Sequence, residues 1–155
     1  MNVTATTNRL HQAVRRLMPD STSGHPDAGL AFAKETAWLL LFDQLLCSAV
    51  FEVTGQEAPG KATSISLLLR EFSEEATGLM SVKELARMLN EPGERLYEYT
   101  IARHQLLLAQ KPMPNRSEIK IVSATAEDSP IQKMRQWLSD FESWLVSARE
   151  YNQEY

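Results

Sequence analysis

Apolar and polar positions along this chain of 155 residues recur with helical rather than strand periods. Residues 3–18 carry Val3, Leu10, Ala13, Val14 and Leu17 in a modest helical pattern. The following PDSTSGHPDAG is loop chemistry, dense in Pro, Gly, Ser and Asp. From Ala28 to Thr54 apolar residues fill nearly every side of a helix, as expected of one surrounded by others, and Gly55 is a natural stop. After the loop GQEAPGK, the stretch ATSISLLLREFSEEA puts Ile65, Leu68, Leu69 and Phe72 on one face, and Gly78 ends it. In SVKE, Ser81 can cap the amide of Glu84 while the Glu84 side chain reaches back. Val82, Leu85, Ala86 and Leu89 then form the apolar stripe. NEPGE interrupts the pattern, because Pro92 lacks an amide hydrogen and Gly93 is a poor helix residue. A helix over Glu94–Lys111 follows.

The last helix has the clearest signature. Ser129 can cap it and Pro130 suits its first position. Apolar residues then fall at 131, 134, 138, 141, 145 and 148, with Trp137, Trp144 and Tyr151 beside them at heptad intervals. That is a seam for packing along another helix, in this chain or in a second copy. It marks Trp137, Phe141, Trp144 and Tyr151 as candidate protein-interface residues. Between the last two helices, EIKIVSA alternates well enough for one short strand, but it has no evident partner and reads as loop or edge structure. The expected fold is an all-α, single-domain bundle of five to six helices over 1–155. It divides into an N-terminal helix and loop (1–27), a core bundle (28–110), an irregular loop (111–128) and a C-terminal amphipathic helix (129–151).

Composition narrows the class. An apolar share of 43% is that of a globular chain, not a disordered one. A formal net charge of -4 argues against a general nucleic-acid-coating role, which needs a basic surplus. The charge is uneven: residues 1–27 carry three Arg against two Asp, and residues 111–126 carry Lys111, Arg116 and Lys120 against Glu118. The single cysteine, Cys47, lies inside an apolar helix pattern and reads as a buried thiol. One cysteine makes no internal disulfide, which suits a reducing compartment. The N-terminus lacks the apolar core of a secretory signal. TAWLLLFDQLLCSAVF is interrupted by Asp43 and Gln44 and is shorter than the roughly 18–20 apolar residues of a membrane span. The expectation is a soluble, cytoplasmic protein that does not enter a membrane.

Candidate chemistry is sparse. His11, His25 and His104 are far apart, and none pairs with Cys, Asp or Glu at a ligand spacing, so no metal site or cofactor is expected. No phosphate-cradling glycine pattern and no Gly-x-Ser-x-Gly elbow occurs. Asp43 stands mid-helix among Leu41, Phe42, Leu45 and Leu46. Either it lies on the water-facing side with Lys34, Glu35 and Glu52, or it is buried and needs a partner such as an arginine. In ERLYEYTIARHQLLLAQK, Arg95, Tyr99 and Arg103 follow one face at four-residue steps and His104 falls beside Tyr97 and Thr100. Arg95, Tyr99, Arg103 and His104 are therefore the candidate binding residues for a polar or RNA ligand, with a solvated helix surface as the plain alternative. A helix-turn-helix is the third reading of this region, from the rhythm of SVKELARMLNEPGERLYEYTIARHQ. Against it, the turn and the second helix carry Glu91, Glu94 and Glu98 where phosphates would lie.

Three segments carry a family resemblance. KETAWLLLFDQLLCSAVFEVTG, KATSISLLLREF and GLMSVKELARMLNEPGERLYEYTIARHQ, over roughly 34–110, resemble the successive helices of HEPN domains. These are bundles often encoded beside minimal nucleotidyltransferases in toxin–antitoxin pairs. Active members carry an Arg-x4–6-His motif. Here eight residues separate Arg95 from His104, and Arg103 adjoins His104. The resemblance thus implies a non-catalytic bundle that dimerises or binds a partner protein or nucleotide. The expected function is that of a non-enzymatic interaction protein, a subunit or adaptor in a bacterial defence, toxin–antitoxin or multi-subunit assembly, partnered by a protein or a second copy. The alternatives are a metal-independent HEPN-like ribonuclease using Arg95, Arg103 and His104, and a DNA-binding regulator.

Overall fold

The computed structural model describes residues 2–18, 28–56, 64–74, 79–107 and 130–153. Those residues form six α-helices and no strand, so the chain is a single all-α domain. In order the helices are α1 (Val3–Leu17), α2 (Ala28–Thr54), α3 (Ile65–Glu74), α4 (Met80–Asn90), α5 (Tyr97–Leu107) and α6 (Pro130–Gln153). Pro130 opens α6 as its fixed φ favours, while Ser129, Gly78 and the EIKIVSA stretch lie outside the described residues.

Local chemistry sets the helix ends. Asn2 caps α1, its Oδ1 accepting the Ala5 amide at 3.3 Å. Gly55 stops α2 in the left-handed region (φ 67°), which a side chain would strain. The expected capping box at Ser81 does not form. α4 begins two residues earlier than that cap requires, at Met80, and its cap residue Leu79 offers no side-chain bond. Ser81 is instead buried in the first turn, and its carbonyl accepts the Trp144 indole N–H at 2.8 Å. The NEPGE break is a bonded corner. The Leu96 amide donates to the Met88 carbonyl (3.1 Å) and the Thr100 hydroxyl to the Leu89 carbonyl (2.7 Å). Buried Leu96 pins this corner to the core, and helix resumes only at Tyr97.

α2 is the axis of the bundle, and every other helix packs on it. Its inward residues meet an aromatic cluster. Trp38 stacks on Phe42 (centroids 4.8 Å apart), Tyr99 and Phe141 meet Phe42 edge-on at 4.9 and 5.8 Å, and Trp137 reaches Tyr99 at 5.8 Å. Such edge-to-face pairs add about 0.5–1.5 kcal/mol each beyond area burial. α1 lies along α2, tied by Thr7 to Ser48 (2.9 Å) and by the Trp38 indole to the Val14 carbonyl (3.2 Å). Polar bonds also join α6 to the other helices. Arg149 holds Glu52 through two nitrogens (2.7 and 3.2 Å), and Glu142 takes His11 and Arg15 at 2.6 Å each.

Two sequence expectations about α2 need correction. By length and composition Gly29–Thr54 is long and apolar enough to cross a membrane, since Asp43 does not outweigh the leucines around it. However, 67% of its most apolar window is buried inside the bundle, as in the core helix of a soluble protein. Nor is α2 enclosed along its whole length. Its second half is covered except at Gln44, but Leu30 (43% exposed), Ala33, Ala37 and Leu40 (47%) face outward at a 3-4-3 spacing.

Candidate functional site

The conspicuous polar cluster is buried and was only half legible in the sequence. α2 contributes Asp43 to it, and α5 contributes Tyr99 and Arg103, four residues apart and so on one face. Arg103 Nε lies 2.6 Å from Asp43 Oδ1, with side-chain exposures of 13% and 4%. The contact is an ion pair without hydrogen-bond alignment at Nε. The Tyr99 hydroxyl donates to the same Asp43 oxygen at 3.2 Å and also reaches the Leu39 carbonyl at 3.5 Å. The Ile65 amide at the start of α3 also acts on the carboxylate, favouring its charged form. Three helices therefore converge on one buried acid.

Electrostatics follow from that enclosure. Burial pushes the Asp43 carboxyl above its usual range, and the Arg103 charge, the Tyr99 hydroxyl and the Ile65 amide oppose the rise without cancelling it. Burial and the adjacent Asp43 charge push the Tyr99 phenol well up. Cys47, one turn beyond Asp43, is pushed up to about 12, first by burial and then by the Asp43 charge. Glu142 behaves differently. Burial raises it, but the bonds from His11 and Arg15 outweigh that and hold it below the ordinary carboxylate range.

The four expected binding residues do not share a groove. Tyr99 is fully buried and Arg103 is spent on Asp43. The helical period explains the outcome: the face of α5 that carries Tyr99 and Arg103 is the one Asp43 draws inward. Arg95 lies in the turn before α5, in a loose 3.8 Å contact with Glu84 in which both side chains are nearly half exposed. Pairs of this kind contribute about 0–1 kcal/mol. His104 is exposed on the outer side of α5.

The aromatic seam of α6 is likewise spent within the chain. Trp137 (7% exposed), Phe141 (0%) and Trp144 (3%) belong to the core, because α6 packs against α2 and α4 of its own bundle. Of the four expected interface residues only Tyr151 is outward, at 43%.

Two surface features remain. A cleft of about 870 Å³ opens between α5 and α6, with Trp137, Ile101 and Ala102 among its apolar lining. Its charged lining is Glu35, Glu94, Glu98 and Asp140 against Arg95 and Lys133, a balance that repels a phosphate. Within it Lys133 already pairs with Glu98 at 3.1 Å. The second feature is the outward face of α2, with a shallower hollow of about 520 Å³ between it and α1. Sequence reasoning missed this face because its residues are apolar and α2 read as enclosed. The signal available was the small pair Ala33 and Ala37 between Leu30 and Leu40. Compared with protein-family models, with curated proteins and with solved structures, the chain matches none of them.

Proposed function

We propose that this chain is a non-enzymatic helical interaction protein, a cytoplasmic subunit or adaptor that works by docking a partner. The observation that carries the reading is the outward face of α2, where Leu30, Ala33, Ala37 and Leu40 form an uncharged seam at helix-packing spacing. A monomeric protein gains nothing in solubility from two half-exposed leucines flanking two alanines, whereas a second helix fits there. The burial of the Asp43–Arg103–Tyr99 cluster supports the same reading, since a substrate has no access to it and its bonds serve to join helices.

The direct test is activity. Purified protein incubated with end-labelled RNA, with and without added divalent metal, is expected to leave the RNA intact, and the His104→Ala variant to behave identically. Cleavage by the wild type that disappears in His104→Ala overturns the proposal in favour of a ribonuclease.

A further inference from the structure

The seam on α2 has a positively charged border along α1. α1 runs antiparallel to α2, with Thr7 level with Ser48 and Val14 level with Trp38, so its C-terminal turns border the middle of the seam. The hollow between the two helices is lined by Arg9, Gln12, Ala13, Arg16, Leu17 and Leu41. Both arginines are exposed, neither pairs with a described carboxylate, and no described carboxylate lines the hollow. Arg15, between them in sequence, turns away to Glu142. In a chain of net charge -4, this is an apolar track with a positive margin.

We infer that the α1/α2 face receives an amphipathic helix of a partner protein, one whose leucine-type stripe is flanked by Asp or Glu. Leu30 and Leu40 lie ten residues apart, about 15 Å along the axis at about 1.5 Å per residue. Ala33 and Ala37 between them let a second helix approach to the near end of the roughly 8–10 Å packing range. The partner's apolar stripe covers this track, and its acidic flank lies over the hollow against Arg9 and Arg16. Charge decides among occupants. An antiparallel second copy, with Leu30 on Leu40 and Ala33 on Ala37 of its mate, would bring another uncharged seam and supply no carboxylate to the arginines. The footprint of two helices over this length is about 15 Å by 20 Å, roughly 300 Å² of flat area, against about 800 Å² per side in a stable interface of standard size. The contact is therefore reversible, steered by charge and weakened by salt.

The inference deepens the interaction reading and rests on it. Its test is a selection from a displayed library of random helical peptides of about 14 residues, a length of about 21 Å that spans the seam. The selection is made on the intact protein and counter-selected on Leu40→Glu. Enrichment of leucine-striped sequences with Asp or Glu flanks is expected. Binding of an enriched peptide should fall about tenfold or more in Leu40→Glu and in the Arg9→Glu/Arg16→Glu pair, and stay unchanged in Val146→Glu on exposed α6 surface. Because every altered side chain is exposed, unchanged thermal melts establish that the variants are folded. Enriched helices with basic or indifferent flanks, or no enrichment at all, overturn the inference. A dimer detected by light scattering and dissociated by Leu40→Glu gives the seam to a second copy and overturns it. Sedimentation with phosphatidylserine/phosphatidylcholine vesicles that the same change abolishes gives it to lipid and overturns it too. Helices of another chemistry bound at the seam overturn the acidic-partner inference alone, whereas His104-dependent RNA cleavage removes the interaction reading itself.

Discussion

Removing Arg103 should expose how much of the bundle depends on one buried charge pair. At 2.6 Å, the Arg103–Asp43 attraction is about 6 kcal/mol at an effective dielectric of about 20. Desolvation of both groups offsets most of it, so the pair contributes little net stability. Arg103→Met is a different matter, because it leaves the Asp43 carboxylate, 4% exposed, with only the Tyr99 hydroxyl as a side-chain partner. Such uncompensated burial costs about 3–5 kcal/mol. For a domain of this size that lowers Tm by roughly 6–20 °C, at about 2–4 °C per kcal/mol. Adding Asp43→Leu removes the stranded charge, so the double variant should recover most of the loss. The pH dependence carries a definite sign. The Asp43 carboxyl titrates higher in the folded chain than in the unfolded one, and losing the guanidinium raises it further. A carboxyl raised in this way stabilises the fold fully below its unfolded pKa, and that contribution is lost as pH rises through the folded value. The deficit of Arg103→Met must therefore be smaller at about pH 5 than at about pH 8. Urea denaturation followed by far-UV circular dichroism measures both. A deficit below about 1 kcal/mol, or one independent of pH, refutes the buried-pair reasoning.

Other perturbations test neighbouring parts of the structure. Trp144→Phe keeps the aromatic packing but removes the indole bond to the Ser81 carbonyl, and should cost about 0.5–1.5 kcal/mol in the same assay. Glu142→Gln weakens the contacts with His11 and Arg15. Because the Glu142 carboxyl is held below its ordinary range, its contribution is present above the unfolded pKa and is lost as pH falls through the folded value. The wild-type advantage over Glu142→Gln should therefore vanish in acid. Cys47, with its thiol pushed up to about 12 and its side chain buried, should resist alkylation in the native state. A free thiol near 8.5 carries about a thousandfold more thiolate at mildly alkaline pH, so rapid native-state labelling would contradict the burial. His104→Ala, on exposed surface, should change stability by no more than about 0.5 kcal/mol.

Much of the architecture was written in local pattern. The stretch 28–54 and Pro130 marked α2 and α6 because helical periodicity, a left-handed glycine and a proline at the first position are local signals. The capping box at Ser81 failed because α4 already starts at Met80, which places Ser81 inside the first turn rather than at the cap. The Asp43–Arg103 pair joins residues sixty positions apart, and nothing in either neighbourhood names the other. Sequence spacing did place Tyr99 and Arg103 on one face, but periodicity cannot say whether that face points to water or to a buried carboxylate. The heptad seam of α6 was legible as a packing surface, and only the fold could show that its partners are α2 and α4 of the same chain. On α2 the difficulty was reversed: a helix apolar on every side hides which of its leucines the bundle leaves outside.

That division of α2 into an enclosed face and an outward face is most directly tested by one paired thermal melt. Leu40→Glu and Leu45→Glu make the same chemical change five residues apart on one helix, at side chains 47% and 0% exposed. Leu40→Glu is expected to melt with the wild type, and Leu45→Glu to lose cooperative unfolding or fall by several kcal/mol, as burying an unpaired carboxylate requires. Equal destabilisation by the two would mean that the α2 seam belongs to the core, and would leave no surface there for a partner.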